Sequence, residues 1–161
     1  MRSEKCPRNM DYYTYLDYSE RLVGFIIIKN EQILDILPKI SKLHHYKDIK
    51  NKDGYIKSIK CILDKNNIKE YLLKWKIKEL KDNISLFVEI IDFVKNNEDS
   101  KIFISVDNNL FNTFTRLLSM IPHKNNLQIV RESELKKGSI EYRLNLIIDT
   151  MLNIERRKMS K

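Results

Sequence analysis

Four acidic side chains lie at positions in the sequence where a carboxylate could do chemistry. They are Asp17, Glu89, Asp107 and Asp149. Each belongs to a different predicted strand or helix, so the four carboxylates suggest a site at which several elements converge. Asp107 poses the choice most directly, because an acid between a strand and a helix can cap the helix or hold a metal ion.

Each acid also has a plainer interpretation. Asp107 could serve only as a helix cap, and Asp17 could start a turn. Asp149 belongs to a polar stripe that repeats every four residues from Glu141 to Asn153, so solvent exposure would explain it. Glu89 lies in the middle of a helix that is apolar on nearly every side, so it must reach solvent, pair with a cation or bind a metal.

The hydrophobic pattern predicts the elements that must position these acids. Residues 11–17 and 22–29 predict a β-hairpin, because a short polar stretch separates two β-rich runs. The later predictions are a helix from residue 82, a strand at 101–106, a helix after Asp107, a strand at 127–130 and a final helix through Ile154. The segment 39–81 is ambiguous between strands and short helices, and we favour one of each. The predicted fold class is α/β, a mixed sheet with flanking helices.

Positive charge is concentrated in one segment of the chain. The 161 residues carry a net charge of +8, and residues 39–81 alone hold 13 lysines against five acids. Lysines interleaved with aromatic residues suit a surface that follows phosphates and stacks on bases. The predicted nucleic-acid-binding residues are Lys57, Lys60, Lys74, Trp75, Lys76 and Lys78. A solvated lysine-rich surface is the alternative.

Composition excludes several other classes of protein. The two cysteines lie far apart, which excludes a disulfide framework and a cysteine zinc site. Three glycines leave no glycine-rich phosphate loop. The longest apolar run, residues 22–28, is too short to cross a membrane. We therefore expect a cytoplasmic protein without a membrane partner, built as one domain over 11–161 behind a flexible arm at 1–10.

The order of the predicted elements and their local residues resemble the ribonuclease H-like superfamily, which includes ribonucleases H and retroviral integrases. Four stretches carry the resemblance: "YLDYSE", "NISLFVEIIDFVKNN", "KIFISVDNNLFNTF" and "RLNLIIDTMLNI". They cover residues 11–30 and 82–155 and leave the basic segment 39–81 as an insertion. The expected architecture is a ribonuclease H-like mixed sheet with flanking helices and this basic insertion.

Two features depart from the family pattern. Tyr18 follows the first acid, where many members have glycine. No histidine precedes the last helix, where some members keep one, and Glu132 or Glu134 could substitute there. The adjacent His44 and His45 lie in a predicted loop and are not expected to bind metal, because neighbouring side chains do not easily face one ion.

The resemblance implies that Asp17, Glu89, Asp107 and Asp149 bind two Mg²⁺ or Mn²⁺ ions. Glu89 would hold the ion on the leaving-group side and Asp149 the ion that activates water, since hard cations prefer carboxylate oxygens. The implied function is a metal-dependent nuclease acting on RNA or an RNA/DNA hybrid. Two alternatives stay open: a non-catalytic nucleic-acid-binding module of the same fold, and a homodimeric interaction protein that pairs through apolar parts of the middle segment.

Overall fold

A computed structural model describes residues 10–97, 99–122 and 127–159. The five strands are β1 (Tyr12–Ser19), β2 (Leu22–Lys29), β3 (Lys74–Glu79), β4 (Ser100–Ser105) and β5 (Gln128–Arg131). The five α-helices are α1 (Ile33–Ile36), α2 (Lys52–Lys65), α3 (Asn83–Asn96), α4 (Asn108–Ser119) and α5 (Ile140–Met159). Nine of the ten residues expected to form an arm lie outside the described ranges, and the tenth, Met10, is buried.

The sheet has the strand order β3-β2-β1-β4-β5. The first two strands form the predicted hairpin, β3 adds antiparallel to β2, and β4 and β5 run parallel to β1 and to each other. This confirms the prediction of an α/β fold with a mixed sheet and flanking helices. Because β1, β4 and β5 are parallel, their carboxyl ends meet at one edge of the sheet.

Two hydrophobic cores cover the two faces of the sheet. Successive strand residues point to opposite faces, so Tyr15 and Leu16 of β1 belong to different cores. Helices α3 and α4 pack on the face that carries Leu16. Helix α5 and the segment between β2 and β3 pack on the face that carries Tyr15. Asp17 therefore points toward the α5 side.

Helix α5 is enclosed on all sides over its central turns. Its residues from Leu144 to Ile154 are all buried. The sheet covers one side, and the segment between β2 and β3 covers the others through Ile36, Ile40 and several further apolar side chains. The basic insertion therefore contributes side chains to the hydrophobic core around α5. No helix in the described ranges is long and apolar enough to cross a membrane.

Candidate functional site

Asp17 and Asp149 form a buried pair of acids between β1 and α5. Asp17 lies in β1 and is 5% exposed, and Asp149 lies in the middle of α5 and is 7% exposed. Burial raises the pKa of both carboxyls, because water no longer solvates the charged form. The charge of Asp149 raises the pKa of Asp17 further. The two side chains therefore repel each other when both are ionised.

Backbone N–H groups fix the orientation of both carboxylates. The N–H of Tyr18 donates to Asp17 Oδ1 at 2.7 Å, and the N–H of Tyr46 donates to Asp149 Oδ2 at 2.9 Å. Tyr46 belongs to the insertion, and its hydroxyl accepts a hydrogen bond from Arg157 at 3.0 Å. The insertion thus covers Asp149 and supplies one of its hydrogen bonds.

Glu132 and His45 extend the acidic pair. Glu132 follows β5, and its two carboxylate oxygens accept hydrogen bonds from Ser105 at 3.1 Å and Asn145 at 2.8 Å. His45 Nε2 lies 3.6 Å from Glu132 Oε2, and His45 Nδ1 lies 4.0 Å from Asp149 Oδ2. The nearby carboxylate of Glu132 raises the pKa of His45, and the same contact lowers the pKa of Glu132. His45 therefore lies between two acids whose charges favour its protonated form, and its Nδ1 has no hydrogen-bond partner among the described residues.

The polar stripe of α5 points inward at this site. Asn145, Asp149 and Asn153 are 1%, 7% and 4% exposed, so solvent exposure does not explain Asp149. Asn153 donates to the backbone carbonyl of Asp149 at 2.8 Å and accepts from Ser19 at 3.3 Å. The side-chain oxygen of Asn145 is buried and has no hydrogen-bond partner in the described ranges. The stripe brings amide N–H groups to the acids: Asn153 Nδ2 donates to Asp149 Oδ1 at 3.4 Å, and Asn145 Nδ2 donates to Glu132.

Asp107 is the N-cap of α4. Its Oδ1 accepts a hydrogen bond from the backbone N–H of Leu110 at 2.9 Å, which confirms the capping interpretation. Asp107 also lines an open cavity of about 220 Å³ together with Tyr18 and Glu132, at the carboxyl ends of β1, β4 and β5. Its second predicted role, as a metal ligand, stays a prediction.

Glu89 lies on the opposite side of the sheet from Asp149. It belongs to α3, and its Oε1 accepts a hydrogen bond from Lys76 of β3 at 2.7 Å. Pairing with a cation was one of the three outcomes open for this side chain. The structure places Glu89 apart from the buried pair, and its metal-binding role stays a prediction of the family resemblance.

The six predicted nucleic-acid-binding residues do not share one surface. Side chains alternate along β3, so Trp75 points to the α5 side, while Lys74, Lys76 and Lys78 point to the α3 side. Lys78 donates to Ser85 of α3 at 3.0 Å. The remaining two, Lys57 and Lys60, are exposed on α2. Two of the three β3 lysines are therefore already engaged within the chain.

The side chains around the buried pair offer few donors for a divalent cation. Within the part of the chain that the structure describes, no three His, Cys, Asp or Glu side chains are grouped so that they could hold a metal ion. Asp17 and Asp149 provide carboxylate oxygens as donors. Mg²⁺ often binds proteins through one or two carboxylates and completes its shell with water and substrate phosphates. The residues fit an ion held in that open manner rather than a cage of four carboxylates.

The sequence pattern did not identify His45 as part of the site, and it gave Glu132 only a minor place. Glu132 follows β5 as Asp107 follows β4, so the rule that acids at the carboxyl ends of parallel strands converge could have selected it. His45 gave no such signal. Its position depends on the path of the insertion, and the local pattern of residues 39–81 does not determine that path.

Comparisons with known proteins give a distant structural likeness and no sequence match. No protein-family model and no curated protein sequence matches the chain. Among solved structures, the PCNA:RNase HII complex from Archaeoglobus fulgidus contains a similar chain, with a TM-score of 0.47 and 13% identity. The match covers 92% of this chain and 73% of that chain. At this TM-score and identity the likeness carries no conclusion about the fold or the chemistry of this chain.

Proposed function

We propose that the protein is a divalent-metal-dependent nuclease that uses Mg²⁺ or Mn²⁺ to hydrolyse phosphodiester bonds in RNA or an RNA/DNA hybrid. The observation that carries this proposal is the buried pair of Asp17 and Asp149, whose pKa values are both raised. Two buried carboxylates that repel each other are stabilised by a cation placed between them.

Asp17 and Asp149 would hold the ion. When bound, a divalent ion supplies charge neutralisation at the scissile phosphate and lowers the pKa of a bound water. Asp107 and Glu132 line the neighbouring cavity and are the candidates for binding a second ion or orienting water. Both lie at the carboxyl ends of parallel strands, which is the usual ligand-binding edge of an α/β sheet.

The insertion keeps the acids in place. The N–H of Tyr46 fixes one oxygen of Asp149, and His45 lies between Asp149 and Glu132, where its protonated form would balance part of their negative charge. This arrangement lets the carboxylates remain buried in the absence of an ion, because each has at least one hydrogen bond or cationic neighbour. His45 is therefore a positioning residue for the acids.

Metal binding and cleavage together test the proposal. Calorimetric titration of Mn²⁺ should show binding to the parent and at least a tenfold loss of affinity in Asp149→Asn, because that change removes a charged ligand. Asp92→Asn is the matched control, since Asp92 is exposed on α3 on the other side of the sheet. Equal affinity in all three proteins would contradict the metal assignment.

The cleavage assay uses a labelled RNA/DNA hybrid with Mn²⁺, and circular dichroism verifies folding. Asp17→Asn and Asp149→Asn should each abolish cleavage, while Asp92→Asn should leave it unchanged. Retained cleavage in both site variants would contradict the nuclease proposal. The same assay on Asp107→Asn and Glu89→Gln asks whether these predicted ligands contribute.

A second candidate is a non-catalytic nucleic-acid-binding module of the same fold. The observation that favours it is that both carboxylate oxygens of Asp149 already accept hydrogen bonds within the chain, from Tyr46 and Asn153. This candidate predicts salt-dependent binding of nucleic acid in EDTA and no cleavage by the parent with Mg²⁺ or Mn²⁺.

A further inference from the structure

A cavity of about 460 Å³ opens next to His45, on the side away from the buried acids. The insertion forms one wall, and the loop before α5 with the first turns of α5 forms the other. The lining residues used below are His45, Lys50, Lys137, Tyr142, Arg143 and Leu146. A volume of this order suits a small organic ligand, since such sites commonly measure about 300 to 1,000 Å³.

Positive charge dominates the cavity wall. Lys50, Lys137 and Arg143 line it, against the single acid Asp48. The cavity also lies at the amino-terminal end of α5, a helix of 20 residues whose dipole is positive there. Both features favour an anion, and the separation of the basic groups around the cavity suits an extended anion such as a phosphodiester.

The rest of the wall is aromatic and apolar. Tyr142 and Leu146 lie on α5, and Leu43 and Ile49 face them from the insertion. Tyr142 is partly exposed, so its ring is available to a planar ligand. A ring beside basic groups is the combination that binds a nucleobase together with its phosphate.

The cavity adjoins the acidic site. His45 lines the cavity, and the same ring lies 3.6 Å from Glu132 and 4.0 Å from Asp149. The negative charges of Glu132, Asp48 and Asp149 also raise the pKa of Tyr142, after the larger effect of burial. A ligand in the cavity would therefore lie one side chain away from the acids.

We propose that this cavity binds one nucleotide unit of the substrate strand, with the base against Tyr142 and the phosphate at Lys50, Lys137 and Arg143. The choice of ligand class rests on the proposed function. The groove beside Trp75 fits this role less well, because its lysines share the wall with Asp64 and Glu155 and Lys69 already lies over the Trp75 ring at 4.3 Å.

Fluorescence anisotropy with a short labelled oligouridylate in EDTA tests the proposal. Neutralising two phosphate contacts in Lys50→Gln/Lys137→Gln should weaken binding about tenfold and reduce the salt dependence by roughly one to two released ions. The matched control, Lys29→Gln/Lys95→Gln, removes two charges elsewhere and should bind like the parent. Both cavity lysines are exposed, so the double variant should fold, which circular dichroism verifies.

Tyr142 provides a second readout that does not depend on charge. Tyr142→Ala should weaken binding about tenfold through lost stacking, whereas Tyr142→Phe should retain affinity because it keeps the ring. Equal weakening by both changes would contradict stacking at this residue.

Two further outcomes would overturn the inference. The first is absence of binding by the parent. The second is unchanged affinity in Lys50→Gln/Lys137→Gln together with a loss of affinity in Lys74→Gln/Lys78→Gln. That result would place the bound nucleic acid at β3, on the edge of the sheet. Because binding is measured in EDTA, failure of the nuclease assay would overturn the proposed function and leave this inference standing.

Discussion

Asp17 is a residue whose charge opposes folding. Burial and the neighbouring Asp149 raise its pKa, so the folded protein holds a proton that the unfolded chain releases above its ordinary pKa of roughly 3.9. Between these two pKa values the folded state binds more protons than the unfolded state. Stability contributed by this group is therefore lost as pH rises through that window. Such a cost is typical of a residue kept for function rather than for stability.

Asp17→Asn should accordingly stabilise the metal-free protein at neutral pH. The neutral amide avoids repulsion by Asp149, and its oxygen can still accept from the N–H of Tyr18. We expect the thermal midpoint at pH 7 in EDTA to rise by about 3 °C or more. The difference from the parent should shrink as pH falls toward 4.

Differential scanning calorimetry between pH 4 and pH 8 measures both trends, with Asp92→Asn as the exposed control. A variant less stable than the parent at every pH would show that Asp17 is stabilised by its surroundings rather than strained by them.

At the scale of elements, local patterns predicted most of the secondary structure. The hairpin at β1 and β2, the final helix and the three elements between residues 83 and 119 are confirmed, because their hydrophobic periods differ clearly. For residues 39–81 the sequence predicted only one helix and one strand, without their positions. Its short apolar runs fit either period, and packing against α5 decides the outcome.

The site was predictable only in part, because convergence is a tertiary property. The sequence selected Asp17 and Asp149, and the structure places them together. The sequence could not show that α3 packs on the other face of the sheet, which separates Glu89 from Asp17 and Asp149. Nor could it show that the polar stripe of α5 is buried, since burial of a stripe depends on which element packs against it.

Asp107 offers a test that belongs to one helix. Asp107→Ala removes the cap of α4 and should lower the free energy of unfolding by about 1 kcal/mol, whereas Asp107→Asn keeps an acceptor and should change it little. Urea unfolding measures both variants. If alanine and asparagine destabilise equally, the carboxylate charge rather than the cap matters at this position.

At the scale of the whole molecule, α5 joins the sheet and the insertion into one packed unit. Eleven consecutive residues of this helix are buried, from Leu144 to Ile154. Arg143 also donates to the backbone carbonyl of Leu37, just before the insertion, at 3.1 Å. Removing the insertion would expose the outer sides of α5, so the insertion cannot be regarded as an appendage to a finished domain.

The insertion and the sheet should therefore unfold together. Hydrogen exchange should give the slowest amides in the buried part of α5 and in β1, and amides of Ile56 and Ile59 in α2 should exchange with a similar free energy, since opening either part exposes the same core. Mass spectrometry of exchanged peptides measures this. Much faster exchange in α2 than in α5 would show that the insertion opens independently.

The lysines of β3 have a consequence for association between copies of the chain. In the described sheet β3 is an edge strand, and its unpaired backbone groups could template a further strand from another molecule. Lys74, Lys76 and Lys78 alternate along this strand. A second β3 docking there would bring like charges together along the seam. The residues that first suggest a surface for nucleic acid thus also disfavour pairing between two copies at the β3 edge.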